Sequence, residues 1–177
     1  RGATEVAIDM IEDPKYTHDL FAYITDATIA RIKKVYELQN ITYPAPGWGF
    51  ADDSIELISL EMYKEFVLPY HRKLLTAFSL GGPNSIHLCG KVQRHLRFLK
   101  DELNIKTFDL GFPTDMAKAR QDVGEDVLLI GNITPHLLKD GTETQIRQAV
   151  IELCRSGVMQ GGKFILHDGN NCAPLTP

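Results

Sequence analysis

The chain has 177 residues, 44% apolar and 24% charged, enough to bury a sizeable core and ordinary for one globular domain. Its net charge of −4 supplies no basic footprint for nucleic acid and no polybasic patch for a membrane surface. No apolar run reaches the roughly 20 residues of a membrane helix. Three cysteines, Cys89, Cys154 and Cys172, fit no disulfide framework, which predicts a reducing, cytoplasmic setting. The chain begins at Arg1 rather than Met, which leaves a removed leader open.

Asp13-Pro14 marks the start of a helix predicted from about Tyr16 to Gln39, with Leu20, Ile24, Ala27, Ile32 and Val35 on one face. Beyond Pro44-Ala45-Pro46-Gly47 comes a short strand, Trp48 to Ala51, ending in Asp52-Asp53. Ser59 caps a second helix running to Phe78, and Pro69 inside it predicts a kink or break. Strands follow at Ser85–Cys89, Thr107–Leu110, Val127–Ile130 and Lys163–His167. Helices separate them: one to about Leu103, one beginning near Asp115, and one capped by Thr142 and reaching Arg155. Tyr63, Phe66, Tyr70 and Leu74 follow helical spacing and read as packing residues. Cys154 reads as core, and Arg94-His95-Leu96-Arg97 as a solvated helix face.

Short continuous apolar strands are those of a sheet covered on both faces, and strand–helix alternation means right-handed βαβ units. A doubly wound sheet and a (β/α)8 barrel both fit. No glycine-rich dinucleotide fingerprint follows any strand, and the polar residues gather at the strand ends where barrel sites form, so the barrel is the preferred class. Five strands do not close an eight-stranded barrel. Leu175-Thr176-Pro177 reads as a capped helix about to start. The expectation is a single domain, residues 1–177, that is the C-terminal portion of a larger barrel. The missing N-terminal barrel segment, self-association or a partner chain would fill the gap.

His87 and Cys89 are two apart, so on a strand they point to the same side and could converge on one borderline cation, zinc being the usual match. Cys172, in the loop after the last strand, could supply a third donor across the barrel mouth. The same residues also fit a satisfied core histidine and a small buried thiol. Asp52 and Asp53 alternate at a strand end, so one faces the mouth as a cation ligand or general base, while either could cap a turn. Asp109, a carboxylate within an apolar strand, must be paired or functional. Asn132, Asn170 and Asn171 could hydrogen-bond a polar substrate, yet asparagine after a strand is also a common turn residue. His167 is a further strand-end candidate.

The ordered series of these segments resembles the uroporphyrinogen decarboxylase superfamily. The matching pieces are Phe50-Ala51-Asp52-Asp53-Ser54, Leu57-Ile58-Ser59, Met62 through Tyr70, Ile86-His87-Leu88-Cys89-Gly90 and Phe108-Asp109-Leu110-Gly111. They continue with Leu129-Ile130-Gly131-Asn132-Ile133, Gly161 through Leu166, and Asn170-Asn171-Cys172-Ala173-Pro174 before Thr176-Pro177. The resemblance implies an α/β (β/α)8 TIM barrel with this chain covering about strands 4–8.

It also implies one of two activities: cofactor-free decarboxylation of uroporphyrinogen, or methyl transfer between a corrinoid and a thiol with zinc activating the thiol. His87-x-Cys89-Gly90 looks like the first half of the zinc motif of the methyltransferase branch, so that branch is preferred. His87, Cys89 and Cys172 are then the expected metal ligands, Asp52, Asp53 and Asn132 the catalytic residues, and Asp109, Asn170 and Asn171 the cofactor-binding ones. A corrinoid protein is the implied partner. Two departures are visible. The decarboxylases carry a histidine at the position of Asn170, and the late methyltransferase cysteine is expected nearer Asn170 than Cys172. The alternatives are a uroporphyrinogen decarboxylase of porphyrin biosynthesis, and a non-catalytic barrel fragment that binds a partner or tetrapyrrole.

Overall fold

A computed structural model of the chain describes residues 2–172 together with Pro174 and Thr176. The expected helix start at Leu175-Thr176-Pro177 therefore involves two positions outside the described residues. No described helix is long and apolar enough to cross a membrane. Contacts divide the chain into two units, residues 1–48 with 57–82, and residues 49–56 with 83–177.

The first unit is helical. α1 (Ala3–Glu12) precedes α2 (Pro14–Gln39), whose start is fixed by the Asp13 side chain accepting from the Tyr16 amide and by Pro14 in the first turn. The sequence reading missed α1 and placed the start of α2 about two residues late. Ser59 caps α3 (Leu60–Met62) by accepting from the Met62 amide. The break expected at Pro69 takes the form of a π-helical turn, Tyr63–Val67, after which α4 (Leu68–Phe78) begins with the proline in its first turn. Proline has no amide hydrogen to donate, so the ladder restarts rather than continues. Tyr63 and Phe66 are buried as predicted, while Tyr70 is half-buried and bonds His18. Tyr36, Tyr43, Trp48 and Phe78 form an aromatic cluster, tied by the Trp48 indole donating to the Tyr36 hydroxyl at 2.9 Å.

The second unit is a five-stranded parallel sheet in sequential order: β1 (Gly49–Ala51), β2 (Asn84–Leu88), β3 (Ile105–Leu110), β4 (Leu128–Ile133) and β5 (Phe164–Asp168). All five predicted strands are present, with ends within three residues of those predicted. Between them lie a 3-10 turn with α5 (Leu96–Leu103), then α6 (Met116–Val123), then α7 (Pro135–Asp140) and α8 (Glu143–Arg155). Asp115 and Thr142 cap α6 and α8. α7 was not predicted.

Burial alternates along β2 and β4 as the pleat requires: Ile86 and Leu88 are buried while Ser85 and His87 are half-buried. Ile86, Leu88, Phe108, Leu110 and Leu129 form the core with Leu99 and Leu103 of α5 and Ala119 and Val123 of α6. β5 is different, with Ile165 and Leu166 both about half exposed.

One surface expectation and one core expectation are corrected. His95 and Leu96 are fully buried, the imidazole Nε2 lying 3.0 Å from the Ile55 carbonyl, because the chain enters α5 through a 3-10 turn that rotates His95 inward. Cys154 is half-buried rather than core.

At the amino-terminal end of the strands Asp126 accepts from Lys106 at 2.6 Å and lies 3.5 Å from Lys100. The Lys106 hydrogen bond, aided by both ammonium charges, holds its carboxyl down at about 2. A depressed carboxylate contributes stability above its ordinary value of 3.8 and loses it as pH falls toward 2. Asp126→Asn is therefore expected to flatten the acid side of the stability profile in that window, as read by urea midpoints at successive pH values.

Candidate metal centre

The register of the sheet builds the site. Ala51, His87 and Asp109 are mutual partners across β1, β2 and β3, and Leu88 pairs with Leu110. Partners in neighbouring strands point to one side, so the His87 and Asp109 side chains meet: Nδ1–H of His87 donates to the Asp109 carboxylate at 2.8 Å. That bond fixes the tautomer and leaves the Nε2 lone pair facing Cys89, whose Sγ lies 3.3 Å away.

One step further along, Cys89 stands beside Gly111, where an added Cβ would collide with the thiol and with the Gly169 carbonyl. The glycine leaves room for the sulfur. Gly90 turns with φ +87° against the Glu56 carboxylate, which accepts from the Lys91 amide at 2.9 Å and anchors the loop after β2.

β1 ends as its last backbone link to β2 forms, the Asp52 amide donating to the His87 carbonyl at 3.2 Å. Only one of the two aspartates turns toward the site. Asp53 accepts from the Cys89 amide at 2.7 Å, with the same oxygen 3.8 Å from His87 Nε2. Asp52 accepts from the Ser54 amide at 3.2 Å, the turn-capping alternative. Asp53, His87 and Cys89 thus each present one donor atom within 4.8 Å of the others.

The group suits a tetrahedral cation. Bonds of about 2.0–2.1 Å to nitrogen and oxygen and about 2.3 Å to sulfur put donors roughly 3.3–3.7 Å apart, close to the 3.3 Å from His87 to Cys89 and the 3.8 Å from His87 to Asp53. The Asp109–His87 pair is the carboxylate–histidine support usual behind metal-bound imidazole. Burial, followed by Asp53, Asp109 and Glu56, pushes the free Cys89 thiol up to about 11. A thiol among three carboxylates is a poor free nucleophile, whereas a cation there would favour the thiolate. A cation placed there would be held about 10–100-fold less tightly in Asp109→Asn, which removes the charged partner of the imidazole. A competition titration against a chromophoric chelator reads this directly, with circular dichroism expected to stay unchanged.

The remaining predicted residues divide. Asn170 donates to Cys89 Sγ at 3.4 Å and accepts from the Asn171 amide at 2.7 Å. Cys172 is not among the three mutually close donors; its thiol donates to Asp168 at 3.2 Å, which holds it above its usual pKa range. Asn132 spends its amide hydrogens on the carbonyls of Thr114 at 2.7 Å and Gly111 at 3.4 Å, so it fixes the loop after β3. His167 lies 2.6 Å from Asp168. A cavity of about 430 Å³ is lined by His87, Asp109, His167, Asp168, Asn170, Asn171 and Cys172. Glu56 and Gly111 were missed as site-building residues; Cys89 and Gly111 meet one step past the paired strand ends Leu88 and Leu110.

Parallel strands joined through helices, with histidine, thiol and carboxylates gathered past their carboxyl ends, are the arrangement of a β/α-barrel active site. The chain belongs to the uroporphyrinogen decarboxylase (URO-D) family, whose model matches residues 1–177. It is 30% identical over 149 residues to a methylated-thiol–coenzyme M methyltransferase of Methanosarcina mazei, covering 82% of this chain and 38% of that protein. It is 26% identical over 170 residues to a uroporphyrinogen decarboxylase of Gloeobacter violaceus, covering 93% of this chain and 46% of that one. A solved methyltransferase from M. mazei superposes with a TM-score of 0.72 at 20% identity, over 98% of this chain and 49% of its own. The five strands are thus a run of that barrel fold, and the chain spans less than half the length of the curated relatives it matches.

Proposed function

We propose that this chain carries the metal-binding portion of a zinc-dependent enzyme that moves a methyl group between a corrinoid and a thiol. The observation that carries the reading is the Asp53–His87–Cys89 donor set backed by Asp109. Zinc bound there would act as a Lewis acid that lowers the pKa of a substrate thiol and holds it as the thiolate nucleophile.

The chain's own residues do the rest. Asp109 keeps the His87 Nε2 lone pair available. Asp53 braces the Cys89 backbone while offering a carboxylate oxygen to the same point. Asn170 contacts the Cys89 sulfur and, with Asn171 and Cys172, lines the cavity in which a thiol substrate would sit. Asn132 acts through the loop that carries Gly111 and is a positioning residue. Asp52 serves the turn that delivers Asp53.

A corrinoid, presented by a corrinoid protein, is the proposed methyl donor. The remaining barrel strands would come from an N-terminal segment or from another copy of the chain. The free thiols of Cys89, Cys154 and Cys172 support a cytoplasmic setting.

Uroporphyrinogen decarboxylation is the second reading, favoured by the 93% of this chain that aligns with a decarboxylase. Against it, Asn170 stands where the decarboxylases carry histidine. The test joins metal analysis to two assays on the chain in an assembly that supplies the remaining barrel strands. We expect close to one zinc per chain, thiol-dependent demethylation of methylcobalamin, and no loss of acetate carboxyls from uroporphyrinogen. Decarboxylation without zinc would replace the proposal. Zinc with neither activity would support the non-catalytic alternative.

A further inference from the structure

A second cavity, of about 610 Å³, opens between α5 and α6 and shares no lining residue with the first. Lys91 of the loop after β2, Arg94 and Arg97 around the start of α5, and Lys118 of α6 line it, against the carboxylates Asp115 and Asp122. Both carboxylates are engaged within the fold: Asp115 caps α6 by accepting from the Lys118 amide at 3.0 Å, and Asp122 accepts from the Gln93 side chain. Arg94 is held in place, donating to the carbonyls of Lys91 and Glu56.

Among the described residues the charged ends of Lys91, Arg97 and Lys118 make no ion pair. Lys73, Lys100 and Lys106, by contrast, each reach a carboxylate. The chain as a whole is negative, so cations concentrated around one concavity do not follow from composition. The volume lies within the roughly 300–1,000 Å³ of small-molecule sites. Guanidinium groups match phosphate and carboxylate in paired hydrogen bonds, and cations on three separate segments favour a ligand with more than one anionic group.

We propose that this cavity binds a small organic polyanion, a molecule bearing two or more phosphate or carboxylate groups, at a site separate from the metal centre. The test is a titration of the full chain with fructose 1,6-bisphosphate and with succinate, acetate serving as the single-charge control. It is followed by calorimetry and by amide chemical shifts. The expected result is saturable binding of at least one of the two, weakened by added chloride, with shifts at Lys91, Arg97 and Lys118 and none at His87. Arg97→Gln with Lys118→Gln should weaken it at least tenfold while zinc content and circular dichroism stay unchanged. Preference between the two probes tells phosphate from carboxylate. No saturable binding of either, shifts centred on His87, or equal affinity in the double variant would overturn the proposal.

Discussion

Cys89→Ala is expected to lower the affinity for zinc by more than about a hundredfold and to remove metal from protein purified without chelator. Loss of a supporting partner alone typically costs about 10–100-fold, and here one of three donors is lost. The effect should be specific. Cys89 is only half-buried, and its backbone amide, which holds Asp53, survives the substitution. Unfolding midpoints of the metal-free proteins should therefore agree closely. Cys172→Ala should leave most of the zinc in place, because the Cys172 thiol rests on Asp168 rather than among the three donors. Zinc retained in Cys89→Ala but lost in Cys172→Ala would reverse the assignment.

Arg120→Met is expected to be the most destabilising single change in the sheet unit, by about 4 kcal/mol. The Arg120 side chain is 2% exposed and donates to four backbone carbonyls: Val158 at 2.9 Å, Gly124 and Val127 at 2.7 Å, and Lys163 at 2.6 Å. These sit at the end of α6, beyond α8, and at the entries to β4 and β5. One guanidinium thus ties the amino-terminal ends of two neighbouring strands to the end of α6. Hydrogen bonds from a charged donor are worth roughly 1.5–3 kcal/mol each, and carbonyls left buried without a donor cost about 1–3 kcal/mol apiece. The terms are not additive, since part of the loop will rehydrate. For a chain of this size the change corresponds to a fall in Tm of about 10 °C. Arg120→Lys should recover little, because an ammonium cannot reach four acceptors spread around a planar fork. A shift below about 1 kcal/mol in urea unfolding would show that the carbonyls find other donors.

The legible parts of this molecule were those governed by periodicity and punctuation. Apolar runs such as Val127 to Ile130 mark covered parallel strands, and Asp13, Ser59, Asp115 and Thr142 cap helices where their chemistry predicts. His87 and Cys89 were legible as a pair because two residues along a strand restore the same face. The rest depended on register between strands. Asp53 reaches the site from the 3-10 turn that follows β1, whereas that Asp109 backs His87, and that Gly111, one step past the Leu88–Leu110 pair, makes room for Cys89, follow from which residue lies opposite which. Local sequence does not encode that alignment. Arg120 and His95 were invisible for a related reason: both look like surface residues, and only the carbonyls brought around them from distant segments make burial tolerable. α7 was overlooked because it is only six residues long.

The most direct measurement is zinc K-edge X-ray absorption on protein that retains its metal. Asp53, His87 and Cys89 predict one sulfur at about 2.3 Å and a shell of nitrogen and oxygen at about 2.0–2.1 Å. The sulfur should remain in the spectrum of Cys172→Ala, while Cys89→Ala should hold no zinc to measure. Two sulfurs in the first shell, none, or no stoichiometric zinc to measure would contradict the centre described.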